Sequence, residues 1–231
     1  MPYTKDGVEY PSVTTILGIL DKPALKGWAA GCAVDYVREH LDVIRNSTNV
    51  HDAETILSDA VYAYKTVSRG ATDIGSEVHH AIERYIKHGE DVRGDISEEA
   101  QHGFLAFLEW EEKNDVDWLE SELTLYHDDE YYAGTCDAIA EIAGNIYLID
   151  FKTSKSIYDE YRYQLAAYQK CRPDVPNVAV LRLDKETGEP EFKDLSYRLD
   201  VSKRAFERCT DLYYALKRRR LKNNPRAKEQ A

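Results

Sequence analysis

Between residues 117 and 153 the apolar side chains recur at every second position instead of every third or fourth, and nothing else in the chain limits its fold as strongly. Segments 117–126, 131–142 and 146–153 alternate in this way. They are separated by His127-Asp128-Asp129-Glu130 and Ala143-Gly144-Asn145, so three consecutive strands are predicted. Upstream the spacing is helical. Asp21 and Pro23 start a helix reaching about residue 45, and a second over 52–66 rests on Ile56, Leu57, Ala60, Val61 and Tyr64. A third, from 72 or 73 to 88, has Ile74, Val78, Ala81, Ile82, Tyr85 and Ile86 as its apolar stripe and Gly89 as its stop, and Ser97 caps a fourth that ends near 113. Downstream the pattern predicts a helix over 157–171, strands over 177–184 and 190–198, and a last helix over 202–221 with Phe206, Cys209, Leu212, Tyr213 and Leu216 facing inward. Helices, three strands, helix, two strands, helix is the order of an α/β fold: a central mixed β-sheet flanked by helices, plus an N-terminal helical region.

Composition narrows the class. The 231 residues include 43% hydrophobic and 11% aromatic side chains, too many for a disordered chain and enough for a sizeable core. No stretch approaches the about 20 apolar residues that span a bilayer, and Met1-Pro2-Tyr3-Thr4-Lys5-Asp6 has no leader-like apolar run, so a soluble, intracellular (cytoplasmic) protein without a membrane partner is expected. Cys32, Cys136, Cys171 and Cys209 form no close pair and are expected as free, buried thiols. The net charge of −12 hides an asymmetry: residues 203–228 carry ten Lys or Arg against two acids. Such a run is either a solvated helix end or a surface for an anionic polymer.

The chemistry concentrates in residues 134–155. With Gly144-Asn145 as a two-residue hairpin turn, Asp137 is predicted to face Lys152 and Ile139 to face Asp150. Period two then puts Asp137, Asp150 and Lys152 on one face of the sheet, the two carboxylates roughly 7 Å apart as diagonal neighbours. That spacing suits a shared cation. A structural ion pair, or a solvated hairpin, would use the same residues. Asp150 and Lys152 nevertheless stand among Ile146, Leu148, Ile149 and Phe151, where a charge is costly unless paired or metal-bound. Gln164 and Tyr168, four residues apart, share one face of the next predicted helix, either at this site or as a rim Gln beside a packed Tyr.

Gly134-x-x-Asp137, then Asp150-x-Lys152, then Gln164-x-x-x-Tyr168 together resemble the PD-(D/E)XK nuclease superfamily, and within it the RecB-like exonuclease branch of phage-encoded, CRISPR-associated and mitochondrial genome maintenance exonucleases. Gly75-Ser76-Glu77-Val78-His79 is similar to that branch's helical histidine, and Ser12-Val13-Thr14-Thr15-Ile16-Leu17, Lys22-Pro23-Ala24-Leu25 and Trp28-Ala29 are similar to the start of its phage members. The likeness runs from about residue 11 to 170. It implies a restriction-endonuclease-like core over 71–231 with a basic C-terminal helix, and a helical region over 1–70 that packs on it as a wall or arch guiding a single strand.

The resemblance also implies roles. His79, Asp137, Asp150 and the Phe151 backbone carbonyl would bind one Mg2+ or Mn2+, and Lys152 would orient or deprotonate the attacking water and offset charge building on the phosphate. Glu122 would support this ion or bind a second one, where a plain exposed glutamate is the alternative, and Gln164 and Tyr168 would support the site and touch DNA. Trp28, Tyr62 and Tyr64 could stack on bases. Two departures stand out. Thr135-Cys136 replaces the proline of the superfamily name, and the late cysteines Cys171 and Cys209 are too far apart for the iron–sulfur cluster of some CRISPR-associated members, so none is expected. The implied function is a divalent-metal-dependent DNA exonuclease acting from a free end in DNA recombination, repair or phage DNA processing, with a single-strand annealing protein or helicase as partner by analogy. A non-catalytic nucleic-acid or partner-binding module on the same fold, and an endonuclease or RNA nuclease with the same site, are the alternatives.

Overall fold

A computed structural model describes residues 2–184, 187–216 and 221–229. The chain opens with a hairpin, β1 (Tyr3–Lys5) and β2 (Val8–Tyr10), and five helices follow: α1 (Val13–Leu17), α2 (Pro23–Glu39), α3 (Leu41–Asn46), α4 (Val50–Ala60) and α5 (Ala63–His88). After α6 (Glu98–Lys113) come β3 (Val116–His127), β4 (Tyr132–Ile142), β5 (Asn145–Lys152), α7 (Asp159–Cys171), β6 (Asn177–Leu183), β7 (Pro190–Asp194), a 3-10 turn (Ser196–Arg198), α8 (Leu199–Leu216) and α9 (Pro225–Glu229). The α/β class is as expected. β3 to β7 form a five-stranded mixed sheet in sequence order, in which β5 and β6 are parallel, joined by α7, and every other neighbour pair is antiparallel.

The chain divides into two compact units. One holds residues 1–20 and 77–231, the other 21–76, so the division falls inside α5. The N-terminal hairpin and α1 therefore belong with the sheet, where the sequence suggested one helical region over 1–70. In the sheet unit, Ile139, Leu148, Val178 and Val180 pack with Leu165 of α7 and Phe206, Tyr213 and Tyr214 of α8. Elsewhere in this unit the core is aromatic: Phe107 lies 5.5 Å from Trp118 and 5.8 Å from Phe151, and Trp110 stacks on Phe192 at 5.4 Å. The helical unit has its own ring contact, Trp28 with Tyr64 at 6.4 Å. It also has an apolar groove lined by Ala33, Val34 and Val37 of α2 and Leu57, Ala60 and Val61 of α4.

Several elements differ from the sequence-based reading. The helix predicted to 45 breaks at His40, whose backbone is no longer helical. The second ends at Ala60, and α5 begins at Ala63, well before the predicted 72. Of the stripe on α4, Ile56 and Ala60 are buried while Leu57 and Val61 are exposed. On α8, Phe206 and Tyr213 point inward as expected and Cys209 is half-buried, but Leu212 and Leu216 are exposed and Thr210 and Tyr214 take the inner positions. That helix ends at Leu216, and the basic residues 217–220 lie outside the described residues. All four cysteines are free thiols, although only Cys136 is fully buried. Among the described residues, no helix is long and apolar enough to cross a membrane.

The correction with most consequence is the β4–β5 hairpin. Its turn is Ala143-Gly144, both with positive φ, at 49° and 79°, the conformation of a two-residue turn that matches strand twist. The turn sits one residue earlier than predicted. Ile139 therefore pairs with Leu148 and Ala138 with Ile149, and the same register carried one step further sets Asp137 opposite Asp150 instead of Lys152. Each partner has moved by two residues, an even number. Every side chain thus keeps its predicted face.

Candidate metal centre

The site grows from the end of this hairpin. Asp137 and Asp150 are among the few buried charged side chains in the described chain, 8% and 1% exposed. Past Ala138↔Ile149 the β4–β5 ladder gives way to a side-chain substitute: the Phe151 N–H donates to Asp137 Oδ2 at 2.7 Å. The other carboxylate oxygen of Asp137 lies 3.5 Å from His79 Nδ1, on the part of α5 that belongs to the sheet unit. From β3, Glu122 completes the group, and one donor atom each of His79, Glu122 and Asp137 all fall within 4.8 Å of one another.

Glu122 reaches this position through a backbone irregularity. β3 carries a bulge between Trp118 and Glu120, and Glu122 has φ 53°, a left-handed conformation that costs a residue with a Cβ about 1 kcal/mol or more. Strain of this kind at a cluster of polar groups is characteristic of functional positions. The donor set fits a small divalent ion. An ion about 2.1 Å from each donor spans atoms about 4.2 Å apart, so modest rotation of the three side chains closes the shell. Two carboxylates and one imidazole suit Mn2+ and tolerate Mg2+.

Asp150 is held by other partners. The Lys152 ammonium lies against its Oδ2, which receives no hydrogen bond of good geometry, and Gln164 Nε2 donates to Oδ1 at 3.1 Å. Phe151 meets Asp137 through its N–H. The structure thus brings His79, Glu122 and Asp137 together and holds Asp150 between Lys152 and Gln164. Gln164 also donates to the Tyr168 hydroxyl at 2.9 Å, and the buried Tyr168 ring leans over Gly134, where a Cβ would come within 2.5 Å of Cε1. Gly134, Gln164 and Tyr168 therefore form one packing unit behind Asp150.

The electrostatics follow from burial. Burial pushes the Asp150 carboxyl up, Lys152 opposes it and Asp137 adds to it, leaving it at about 6. For Asp137, burial also pushes upward, but His79 and the Phe151 N–H outweigh it and hold the group below its ordinary range. Burial draws the His79 imidazole down; the Asp137 carboxylate pulls harder, and the ring ends above its ordinary value. Lys152 behaves likewise: burial lowers it, Asp150 and Asp137 raise it more, and it is held charged. Glu122 is raised by burial first and then by the nearby Asp137 and Glu83 carboxylates. Burial is thus the main reason that Asp150 and Glu122 are raised, while the cations His79 and Lys152 stand beside Asp137 and Asp150.

Two neighbours were missed in the sequence. Glu83 follows His79 by one helical turn, a spacing that could have found it, and pairs with Lys87 at 2.7 Å. Tyr161 places its ring 5.0 Å from Lys152 Nζ, and no sequence signal separated it from the other tyrosines. Other basic candidates serve elsewhere. Lys170 bridges Glu130 and Glu207, and Arg162 pairs with Asp159 at 3.0 Å. Trp28, Tyr62 and Tyr64 belong to the helical unit.

No family model matches this chain, and no curated protein does. Among solved structures the chain is similar to one described as the crystal structure of SSO0001, at 16% identity over 78% of this chain and 71% of that one, with a TM-score of 0.34.

Proposed function

We propose that this protein is a divalent-metal-dependent deoxyribonuclease of the PD-(D/E)XK type, hydrolysing phosphodiester bonds from a free DNA end. One observation carries the reading: three metal-competent donors, from His79, Glu122 and Asp137, converge within 4.8 Å beside a buried Asp150–Lys152 pair, the residues that the resemblance picks out. Mg2+ or Mn2+, when bound, supplies Lewis acidity toward a phosphate oxygen and toward water.

The protein's own groups then have definable tasks. His79, Glu122 and Asp137 would hold the ion, with Asp150 beside Lys152 and Gln164. Lys152 is held as an ammonium by Asp150, so it has no lone pair to accept a proton and acts by offsetting charge that develops on the phosphate. Gln164, anchored by Tyr168, fixes the orientation of Asp150. The His79 imidazole, and to a lesser extent Lys152 and the Phe151 N–H, keep Asp137 ionised.

The test is cleavage of end-labelled linear DNA, beside a covalently closed circle and RNA, with Mn2+, Mg2+ or EDTA. Metal-dependent loss of linear DNA, abolished in Lys152→Ala and Asp137→Asn, is the expected result. Intact DNA in every lane, with binding retained, would instead favour a non-catalytic nucleic-acid-binding module; cleavage of the circle would make it an endonuclease.

A further inference from the structure

Lys152 ends the strand β5 and carries its charge in a side chain only 18% exposed, so the ammonium needs fixed partners. The Asp150 carboxylate is one, and Asp150 is shared with Gln164. The Tyr161 ring is another, with its centroid 5.0 Å from Nζ and the ammonium over its face. The ring is itself secured. Its hydroxyl donates to Ser154 Oγ at 3.0 Å, and Ser154 Oγ donates in turn to the Ser156 carbonyl at 2.8 Å, in the segment that joins β5 to α7. Tyr158 meets the ring edge-on, the centroids 5.7 Å apart at 74°. A hydroxyl tie and a ring neighbour thus fix where the π-face of Tyr161 points, and neither has a task in the scheme above.

A lysine ammonium is a compact charge on a flexible four-carbon stem, and it acts from one place only if its surroundings remove that freedom. Asp150 by itself is a weak anchor beside a metal centre. The ammonium would be repelled by a dication held among His79, Glu122 and Asp137, and the ion pair would weaken as the carboxylates share their charge. The Tyr161 ring carries no net charge, and hard divalent ions take oxygen donors in preference to a π-face. Its hold on Lys152 therefore does not depend on how the carboxylates are occupied.

We propose that Tyr161, tied by Ser154, is a positioning residue that clamps the Lys152 ammonium; its effect on turnover rests on the nuclease reading above, the clamp itself does not. Two measurements on the full chain test it. In EDTA, the Lys152 Hε proton signals, assigned by their absence in Lys152→Arg, should lie upfield of ordinary lysines because the ring sits under the ammonium end. They should stay there in Tyr161→Phe and return to the ordinary position in Tyr161→Leu. Tyr161 is half-buried and Leu keeps its apolar packing; Tyr161→Met takes its place should that variant not fold. With Mn2+ and end-labelled linear DNA, Tyr161→Leu should lower kcat about tenfold and spare KM, whereas Tyr161→Phe and Ser154→Ala, which keep the ring and lose the tie, should each cost about twofold. Unmoved Lys152 signals in Tyr161→Leu, equal loss of kcat in Tyr161→Leu and Tyr161→Phe, or a change in KM alone would overturn the proposal. Its fate is separable from that of the nuclease reading. If the wild type cuts nothing and the signals behave as stated, the clamp stands without the chemistry; if metal-dependent cleavage is intact and Tyr161→Leu cuts at the wild-type rate, the chemistry stands without the clamp.

Discussion

Two residues show how closely the site is fitted. Gly134 has no side chain because the Tyr168 ring occupies the place of one, with Cε1 2.5 Å and the hydroxyl 3.3 Å from an ideal Cβ. Tyr168 is 3% exposed and its hydroxyl is tied to Gln164, so the ring has little room to retreat. Gly134→Ala should therefore cost about 1 to 3 kcal/mol, read as a lower denaturant midpoint at constant slope. Asp150 makes the complementary case. Its carboxyl titrates at about 6 in the folded chain against 3.8 in an ordinary setting, so the folded state favours the protonated form. Stability from this group is present at low pH and is lost as pH rises from about 4 to about 6, by on the order of 3 kcal/mol. In EDTA, Asp150→Asn should lack that loss, so although it leaves Lys152 without its partner, its thermal midpoint should gain on that of the wild type as pH rises from about 4 to about 6. Parallel midpoint curves would refute the raised Asp150 carboxyl.

At the scale of elements, the β4–β5 turn decides the register of the site. Gly144 meets the need for positive φ without cost, but Ala143 at 49° pays the Cβ penalty of the left-handed region. Ala143→Asn should stabilise the protein by about 0.5 to 1 kcal/mol, since Asn tolerates this conformation, and Gly144→Ala should destabilise it by about 1 kcal/mol. Calorimetric midpoints of the two variants moving in the same direction would count against the turn assigned here. The N-terminal hairpin uses the same device at Asp6-Gly7, with φ 51° and 75°. An Asp-Gly pair between Tyr3-Thr4-Lys5 and Val8-Glu9-Tyr10 was a readable hairpin signal, though strands of three residues are too short for alternation to show.

At the scale of the whole molecule, residues near the two ends of the described chain fasten each other. The Glu9 N–H donates to the Lys222 carbonyl at 3.0 Å, the Lys222 N–H returns to Glu9 Oε2 at 2.8 Å, and Asn224 Nδ2 donates to the Glu9 carbonyl at 2.7 Å and to the Tyr214 hydroxyl at 3.2 Å. Asn224 is fully buried, so Asn224→Ala leaves these acceptors unpaired and should cost about 1 to 3 kcal/mol. Hydrogen exchange should show faster opening of β1 and β2 in that variant while β4 and β5 keep their protection; uniform loss across the sheet would mean that the tie is global.

Periodicity alone determined a good deal. The switch to alternation at residue 117 announced three consecutive strands, Ser97 marked the start of α6, Gly89 stopped α5, and the spacing of Asp137, Asp150 and Lys152 placed them on one face. That last result survived a turn misplaced by one residue because the pairing error was even, and alternation has period two. What local pattern could not carry was anything set by distant contacts. The start of α5 at Ala63 runs through Gly70 and Gly75, which local propensity counts against a helix. Glu122 joins His79 and Asp137 through a bulge and a left-handed residue, while Asp150 turns toward Lys152 and Gln164. Side-chain direction within a crowded, buried group of charges depends on which partners the packing supplies, and those partners come from five elements spread between residues 79 and 164. Spacing picked out Asp137, Asp150 and Lys152, and the family resemblance added His79 and Glu122; only the tertiary structure decided which of them face one another.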